Sequence, residues 1–156
     1  MMNESDAQKV IYRNLIQPKR HVLAVPNCKA LHPSGESDLL SVTPAGLVHE
    51  FEIKLSEQDF LRDFEDKKYK HRILEQGGRK IFGEEDLKSK DLPNYFWFAT
   101  SSRLDVDIPE YAGHANVSCS GCEIKKDAPR LHSENITDRA RKYLERGITV
   151  RHWQSE

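Results

Sequence analysis

One short segment carries the residues of this sequence that are best suited to chemistry. Acids and a lysine alternate with apolar residues between Glu50 and Lys54. Because neighbouring side chains of a β-strand point to opposite faces, a strand here would place Glu50, Glu52 and Lys54 on one face. Asp38, which begins an earlier apolar run, can add a carboxylate beside them. Converging acids with one lysine are what a divalent metal site needs.

The elements that would position these residues follow from hydrophobic spacing and turn signals. Helical spacing predicts a first helix over residues 5–16 and, after a Ser56 that resembles an N-cap, a second over residues 56–76. Apolar runs predict strands, and Pro44-Ala45-Gly46 predicts that the second and third form an antiparallel hairpin. The predicted strands are residues 21–25, 37–43, 47–55, 94–100, 114–118 and 123–125, and a late helix covers residues 136–146.

The order helix, three strands, helix, strand predicts an α/β fold in which helices flank a single mixed β-sheet. A chain of 156 residues suits one domain with a proper hydrophobic core. We therefore expect a single domain over residues 1–156, with its core at about residues 5–100 and further strands and a helix at about 105–156.

Composition narrows the functional classes. No apolar run approaches the roughly 18 residues that cross a bilayer, so we expect no membrane partner. The N-terminus lacks the basic start and apolar stretch of a secretory signal, and three cysteines, an odd number, do not suggest a disulfide framework. These features favour a cytoplasmic protein. The net charge of −1 argues against coating nucleic acid by bulk electrostatics but leaves room for a local basic surface.

Asp38 followed by Glu52-Ile53-Lys54 resembles the signature of the PD-(D/E)XK nuclease superfamily, with Ser37 where that signature has proline. The superfamily core has the order α-β-β-β-α-β, which agrees with the order predicted above from the residues. The likeness is strongest with small phage and prophage members and covers most of the chain. It extends over residues 36–43, 49–54, 59–60, 67–71, 109–113 and 128–132.

The resemblance implies a restriction-endonuclease-like fold and Mg²⁺-dependent hydrolysis of DNA, with Mn²⁺ able to substitute, in the cytoplasm of a bacterial host. Asp38 and Glu52 would be metal ligands, and the resemblance adds the carbonyl of Ile53. Lys54 would position the attacking water or stabilise charge on the phosphoryl group. On these residues alone, a solvated strand face with cross-strand ion pairs is an alternative.

Two further acids are candidate metal ligands. Glu50 shares the face of Glu52 but lies about 6–7 Å further along the strand, so it is either an outer ligand or a partner for Lys67 or His71. Glu4 lies on the sheet-facing side of the first helix, and some superfamily members bring an acid from that helix to the metal. Its alternative role is to complement the helix dipole.

The second predicted helix carries a stripe in which Lys67 and His71 interrupt an apolar face. We expect these two side chains to meet the acids or a scissile phosphate of DNA. Lys68, Lys70 and Arg72 fall further round the helix, where they either contact a nucleic-acid backbone or form a solvated helix end.

Other function classes stay open. A nuclease fold that only binds DNA or a protein partner would keep the same residues without turnover. A zinc-stapled interaction module would use Cys119 and Cys122 with Cys28 and His32, although Ser120-Gly121 is also an adequate β-turn. The sequence does not select duplex, single-stranded or branched DNA, or RNA, or decide between endonuclease and exonuclease. The sequence also leaves open whether the protein is a homodimer, which cutting both strands would favour.

Overall fold

The computed structural model describes residues 2–28, 36–76 and 92–154. These residues form a six-stranded mixed β-sheet flanked by helices, so the predicted α/β class with a single sheet is confirmed. In the described ranges, no helix is both long and apolar enough to cross a lipid bilayer.

In the described part of the chain, four helices and six strands follow one another in an order that contains the predicted core order. A wider π-type segment, Tyr12–Ile16, continues the first helix. The helices are α1 (Glu4–Ile11), α2 (Glu57–Asp66), α3 (Lys68–Glu75) and α4 (Asp138–Gln154). The strands are β1 (Leu23–Cys28), β2 (Ser37–Val42), β3 (Val48–Lys54), β4 (Tyr95–Ser101), β5 (Ala112–Ser118) and β6 (Gly121–Lys126).

The strands lie in the sheet in the order in which they occur along the chain. β1, β2 and β3 are antiparallel neighbours, β4 and β5 are parallel to the strand before them, and β6 is antiparallel to β5. A parallel neighbour requires a crossover, and the helical segment between β3 and β4 supplies it. The predicted β2–β3 hairpin is confirmed, with Gly46 at a φ of 88° in its turn.

Alternation along β4 shows that the sheet is covered on both faces. Trp97 packs in a cluster with Ala7 and Ile11 of α1, whereas Phe98 packs in another with Leu74 of α3. A third cluster lies where Leu144 of α4 contacts β1, β2 and β3. Helix α1 therefore covers one face, and the helices after β3 cover the other.

Three predicted boundaries were wrong for identifiable reasons. The helix predicted over residues 56–76 is two helices, because Lys67 adopts a non-helical backbone with φ −122° and ψ 41°. β1 continues through Pro26, since an edge strand tolerates a residue without an N–H. The last helix runs through Gly147 to Gln154, and Arg151 near its end donates hydrogen bonds to β1 carbonyls.

Candidate functional site

The β2–β3 hairpin brings together the three residues predicted to do the chemistry. The register pairs Leu39 with Phe51, so the next step along the two strands sets Asp38 beside Glu52. The N–H of Ile53 donates to Oδ2 of Asp38 at 2.7 Å, which fixes that carboxyl. Glu52 is fully buried, and Nζ of Lys54 lies 4.0 Å from its Oε2.

Asp38 and Glu52 form a like-charged pair. Burial first, and then the charge of Glu52, raise the pKa of Asp38 to about 8, although the Ile53 N–H opposes the shift. The more distant charge of Glu4 also raises this pKa. A cation between the two carboxyls would remove the repulsion and keep both of them ionised.

Lys54 is held by an acid that the sequence reading did not single out. Its Nζ lies 2.7 Å from Oδ1 of Asp63, a buried residue of α2. Burial acts to lower the pKa of Lys54, but the hydrogen bond and charge of Asp63 outweigh it and raise the pKa above its ordinary value. Lys54 is therefore a permanent cation, suited to stabilising negative charge and not to accepting a proton.

Asp63 also connects this site to the helical side of the fold. Burial would raise its pKa, but hydrogen bonds from His71 and Lys54 hold that pKa below its ordinary range. Nε2 of His71 lies 2.5 Å from Oδ2 of Asp63, and the other ring nitrogen lies 2.7 Å from the hydroxyl of Tyr111. Nζ of Lys67 lies 3.1 Å from Oε1 of Glu52 and 3.6 Å from Asp63.

Lys67 contacts the predicted acid Glu52, whereas His71 contacts Asp63 and none of the acids that were predicted, and their access to DNA also differs. Lys67 keeps a fifth of its side chain exposed and lines the same cavity as Asp38. His71 is buried with both ring nitrogens engaged, so a direct DNA contact by His71 does not fit this structure.

Lys70 does not occupy the surface position expected for a DNA-backbone contact. It is fully buried, its Nζ lies 2.6 Å from Oε1 of Glu52, and it also hydrogen bonds to Oε2 of Glu50. Lys70 follows Lys67 by three residues and precedes Leu74 by four, so it lies on the buried side of α3 with His71 and Leu74. Lys68 and Arg72 are exposed on the other side of α3, as expected.

The two outer candidates for metal ligands have different surroundings. Glu50 has Lys70, and not Lys67 or His71, as its basic partner, and it accepts a hydrogen bond from Ser37 at 2.7 Å. Glu4 is exposed in the first turn of α1 and lines a cavity of about 630 Å³ together with Asp38. Glu4 therefore lines the cavity of the site, whereas Glu50 lies in the buried interior beside Lys70.

The donor set fits a hard divalent ion that keeps part of its water shell. Oε2 of Glu52 is a buried acceptor without a hydrogen-bond partner among the described residues, and the Asp38 carboxyl lies beside it. Within the described ranges, no group of three or more histidine, cysteine, aspartate or glutamate side chains is arranged to enclose a metal. Two carboxylates with water completing the shell match the preference of Mg²⁺.

The sheet order argues against the four-ligand zinc site. Cys28 lies in the edge strand β1, whereas Cys122 lies in the opposite edge strand β6. Five strand spacings separate them, roughly 24 Å. Cys119 is exposed in the β5–β6 turn, where the predicted turn is confirmed, and His32 lies outside the described residues.

Asp63 and Tyr111 belong to the site but were not predicted from the sequence, although the spacing of Asp63 indicated its position. Asp63 falls three residues after Phe60 and four before Lys67, which places it on the stripe that was recognised. Tyr111 had no local signal, because only the parallel pairing of β4 and β5 brings it to His71.

Comparisons with known proteins support the fold alone. No family model matches the chain, and no curated protein matches it. Among solved structures, the chain is similar to a protein of unknown function from Silicibacter pomeroyi, with 16% sequence identity and a TM-score of 0.67. The match covers 99% of this chain and 91% of the other.

Proposed function

We propose that this protein is a divalent-metal-dependent nuclease that hydrolyses DNA phosphodiester bonds, of PD-(D/E)XK type and phage or prophage origin. The observation that carries the proposal is the pairing of Asp38 with Glu52 beside the Lys54 ammonium. The element order and the resemblance of the sequence to that superfamily support it.

Each residue has a role that follows from its surroundings. Asp38 and Glu52 would hold Mg²⁺ or Mn²⁺, with the Ile53 carbonyl and Glu4 as further candidate ligands and Glu50 outside the ligand set. The bound ion supplies a nucleophilic water of lowered pKa and a positive charge near the phosphate.

Lys54, a fixed cation, stabilises charge that develops on the phosphoryl oxygens. Asp63 positions Lys54 through their 2.7 Å contact, and Lys67 can approach a phosphate from the rim of the cavity.

Cleavage of labelled DNA tests this proposal. The wild-type protein should cut in Mg²⁺ or Mn²⁺ and stop cutting when the ion is chelated. Asp38→Ala, Glu52→Ala and Lys54→Ala should each lose cleavage while the protein stays folded, and Lys142→Ala, an exposed lysine of α4, should retain it. Full activity of Lys54→Ala would refute the proposed mechanism.

One observation favours a second candidate, a catalytically silent nuclease fold that binds DNA or a protein. Buried Lys70 already supplies a positive charge to Glu50 and Glu52, and Lys67 supplies another to Glu52. Such a protein would bind DNA in a salt-sensitive manner without turnover under any divalent metal. Turnover that depends on Glu52 would exclude it.

A further inference from the structure

A second cavity, of about 650 Å³, lies between α1 and the edge strand β1. Lys9 and Arg13 of the first helical segment line it on one side, and Ala24 and Leu39 of the sheet line it on the other. None of the described residues that line this cavity is acidic. We call this cavity the α1 groove; it combines a basic rim with apolar sheet residues.

The α1 groove is continuous with the candidate active site. Ser5 and Gln8 line both the α1 groove and the cavity that contains Asp38. The side-chain amide of Gln8 donates to the backbone carbonyl of Asp38 at 2.8 Å and to Oδ1 of Asn27 at 3.2 Å. A ligand that lies in the groove and extends past Gln8 therefore reaches the cavity that Asp38 lines.

The lining of the α1 groove suits a nucleic-acid strand. Tyr12 lines the groove with 44% of its surface exposed, so its ring can stack on a base. Lys9 and Arg13 are one helical turn apart, about 6 Å along the axis, and can contact successive phosphates. His21 lines the β1 side of the groove, where burial, and then the charge of Lys19, lower its pKa and favour the neutral ring.

We infer that the α1 groove binds a single-stranded segment of nucleic acid and leads it past Gln8 to the cavity that Asp38 lines. This inference rests on the proposed nuclease function and names the substrate class of the same site. A cavity of about 650 Å³ is in the size range of small-molecule pockets, which suits a short part of one strand. A base can stack on the Tyr12 ring only when it has left the stack of a duplex. Basic side chains, a stacking ring and apolar contacts are the elements of single-strand recognition.

Binding in the presence of a chelator tests the inference without turnover. The probe is a fluorescein-labelled oligothymidylate of about twelve nucleotides, followed by anisotropy. Tyr12→Ala should weaken binding about tenfold, and Tyr12→Phe should bind like wild type because the stacking ring is kept. Tyr143→Ala is the matched control, since Tyr143 is an exposed aromatic residue on α4.

Salt dependence tests the basic rim separately. Lys9→Ala/Arg13→Ala should reduce the slope of log affinity against log salt by about 1.4, or about 0.7 for each phosphate contact. Arg139→Ala/Lys142→Ala removes two exposed charges from α4 and should leave the slope unchanged. Groove variants that bind like their controls would overturn the inference. So would displacement of the probe by duplex DNA or by polyglutamate as readily as by unlabelled single strand.

The two proposals fail in different ways. If no metal supports cleavage but the groove variants weaken binding, the α1 groove stands and the nuclease proposal falls. If the protein cleaves DNA and the groove variants bind and cleave like wild type, the nuclease proposal stands and the α1 groove inference falls.

Discussion

The ammonium of Lys70 lies 2.6 Å from Oε1 of Glu52, and neither side chain is exposed to solvent. Burial acts against the charge of Lys70, yet the neighbouring carboxylates of Glu50 and Glu52 raise its pKa above the ordinary value. A buried charge with two acidic partners is costly to leave uncompensated. Lys70 therefore holds the candidate ligand Glu52 in place from the buried side of the site.

Removing this ammonium should destabilise the fold strongly. We expect Lys70→Met to lower the free energy of unfolding by about 3–5 kcal/mol, because it removes a buried cation that contacts both Glu50 and Glu52. Lys68→Met, on the exposed side of the same helix, should change it by about 0.5 kcal/mol or less. Urea unfolding followed by tryptophan fluorescence measures both, and equal effects of the two substitutions would contradict the buried ion pair.

Asp63 should act on catalysis through Lys54. Asp63→Asn keeps the size of the side chain but removes the charge that holds Lys54, so we expect kcat to fall roughly 10- to 100-fold with little change in KM. Asp59→Asn, an exposed acid of the same helix, should leave kcat unchanged.

The double variant separates positioning from a general loss of structure. The residual cleavage rate of Lys54→Ala/Asp63→Asn should be no lower than that of Lys54→Ala alone, because both substitutions remove the same positioned charge of Lys54. Independent, multiplicative losses would show that Asp63 does not work through Lys54.

His49 should make stability depend on pH. Burial, followed by the charges of His21 and Lys19, lowers the pKa of His49 to about 3. The indole N–H of Trp97 donates to Nδ1 of His49 at 3.0 Å, which requires that nitrogen to be unprotonated. The unfolded state binds the proton first, so the free energy of unfolding should fall as pH drops below about 6.5.

The expected loss through His49 between pH 7 and pH 5 is about 1–2 kcal/mol. Replacement His49→Phe keeps a ring in the stack with Tyr95 and should remove this part of the pH dependence. His152→Phe, an exposed control on α4, should keep the wild-type profile. Parallel pH profiles for His49→Phe and wild type would show that His49 is not held neutral.

Short-range pattern was sufficient to predict the hairpin and its acidic face. Glu50, Glu52 and Lys54 share one face because a strand repeats every two residues, and the Pro44–Gly46 turn sets Asp38 beside them. The α/β class followed from the order of elements. These features depend on residues close together in the chain, so a single sequence contains the information.

The parts that were not predicted depend on the width of the buried helical stripe and on distant contacts. Lys70 lies three residues after Lys67 and four before Leu74, at the edge of the predicted stripe, and it was placed outside although it contacts the buried acids. Glu50 was accordingly assigned the wrong basic partners. Tyr111 reaches His71 only after β5 has paired with β4, which no local pattern encodes.

Metal occupancy of the Asp38 and Glu52 pair is the most direct test of the proposed site. Crystals should be soaked in Mn²⁺ without oxygen at about pH 9, above the raised pKa of about 8 for Asp38, so that the Asp38 carboxyl is ionised. We predict an anomalous density peak between the Asp38 and Glu52 carboxyls that disappears in Glu52→Gln crystals. The absence of a peak there in the wild-type protein, or peaks at other positions only, would contradict the account.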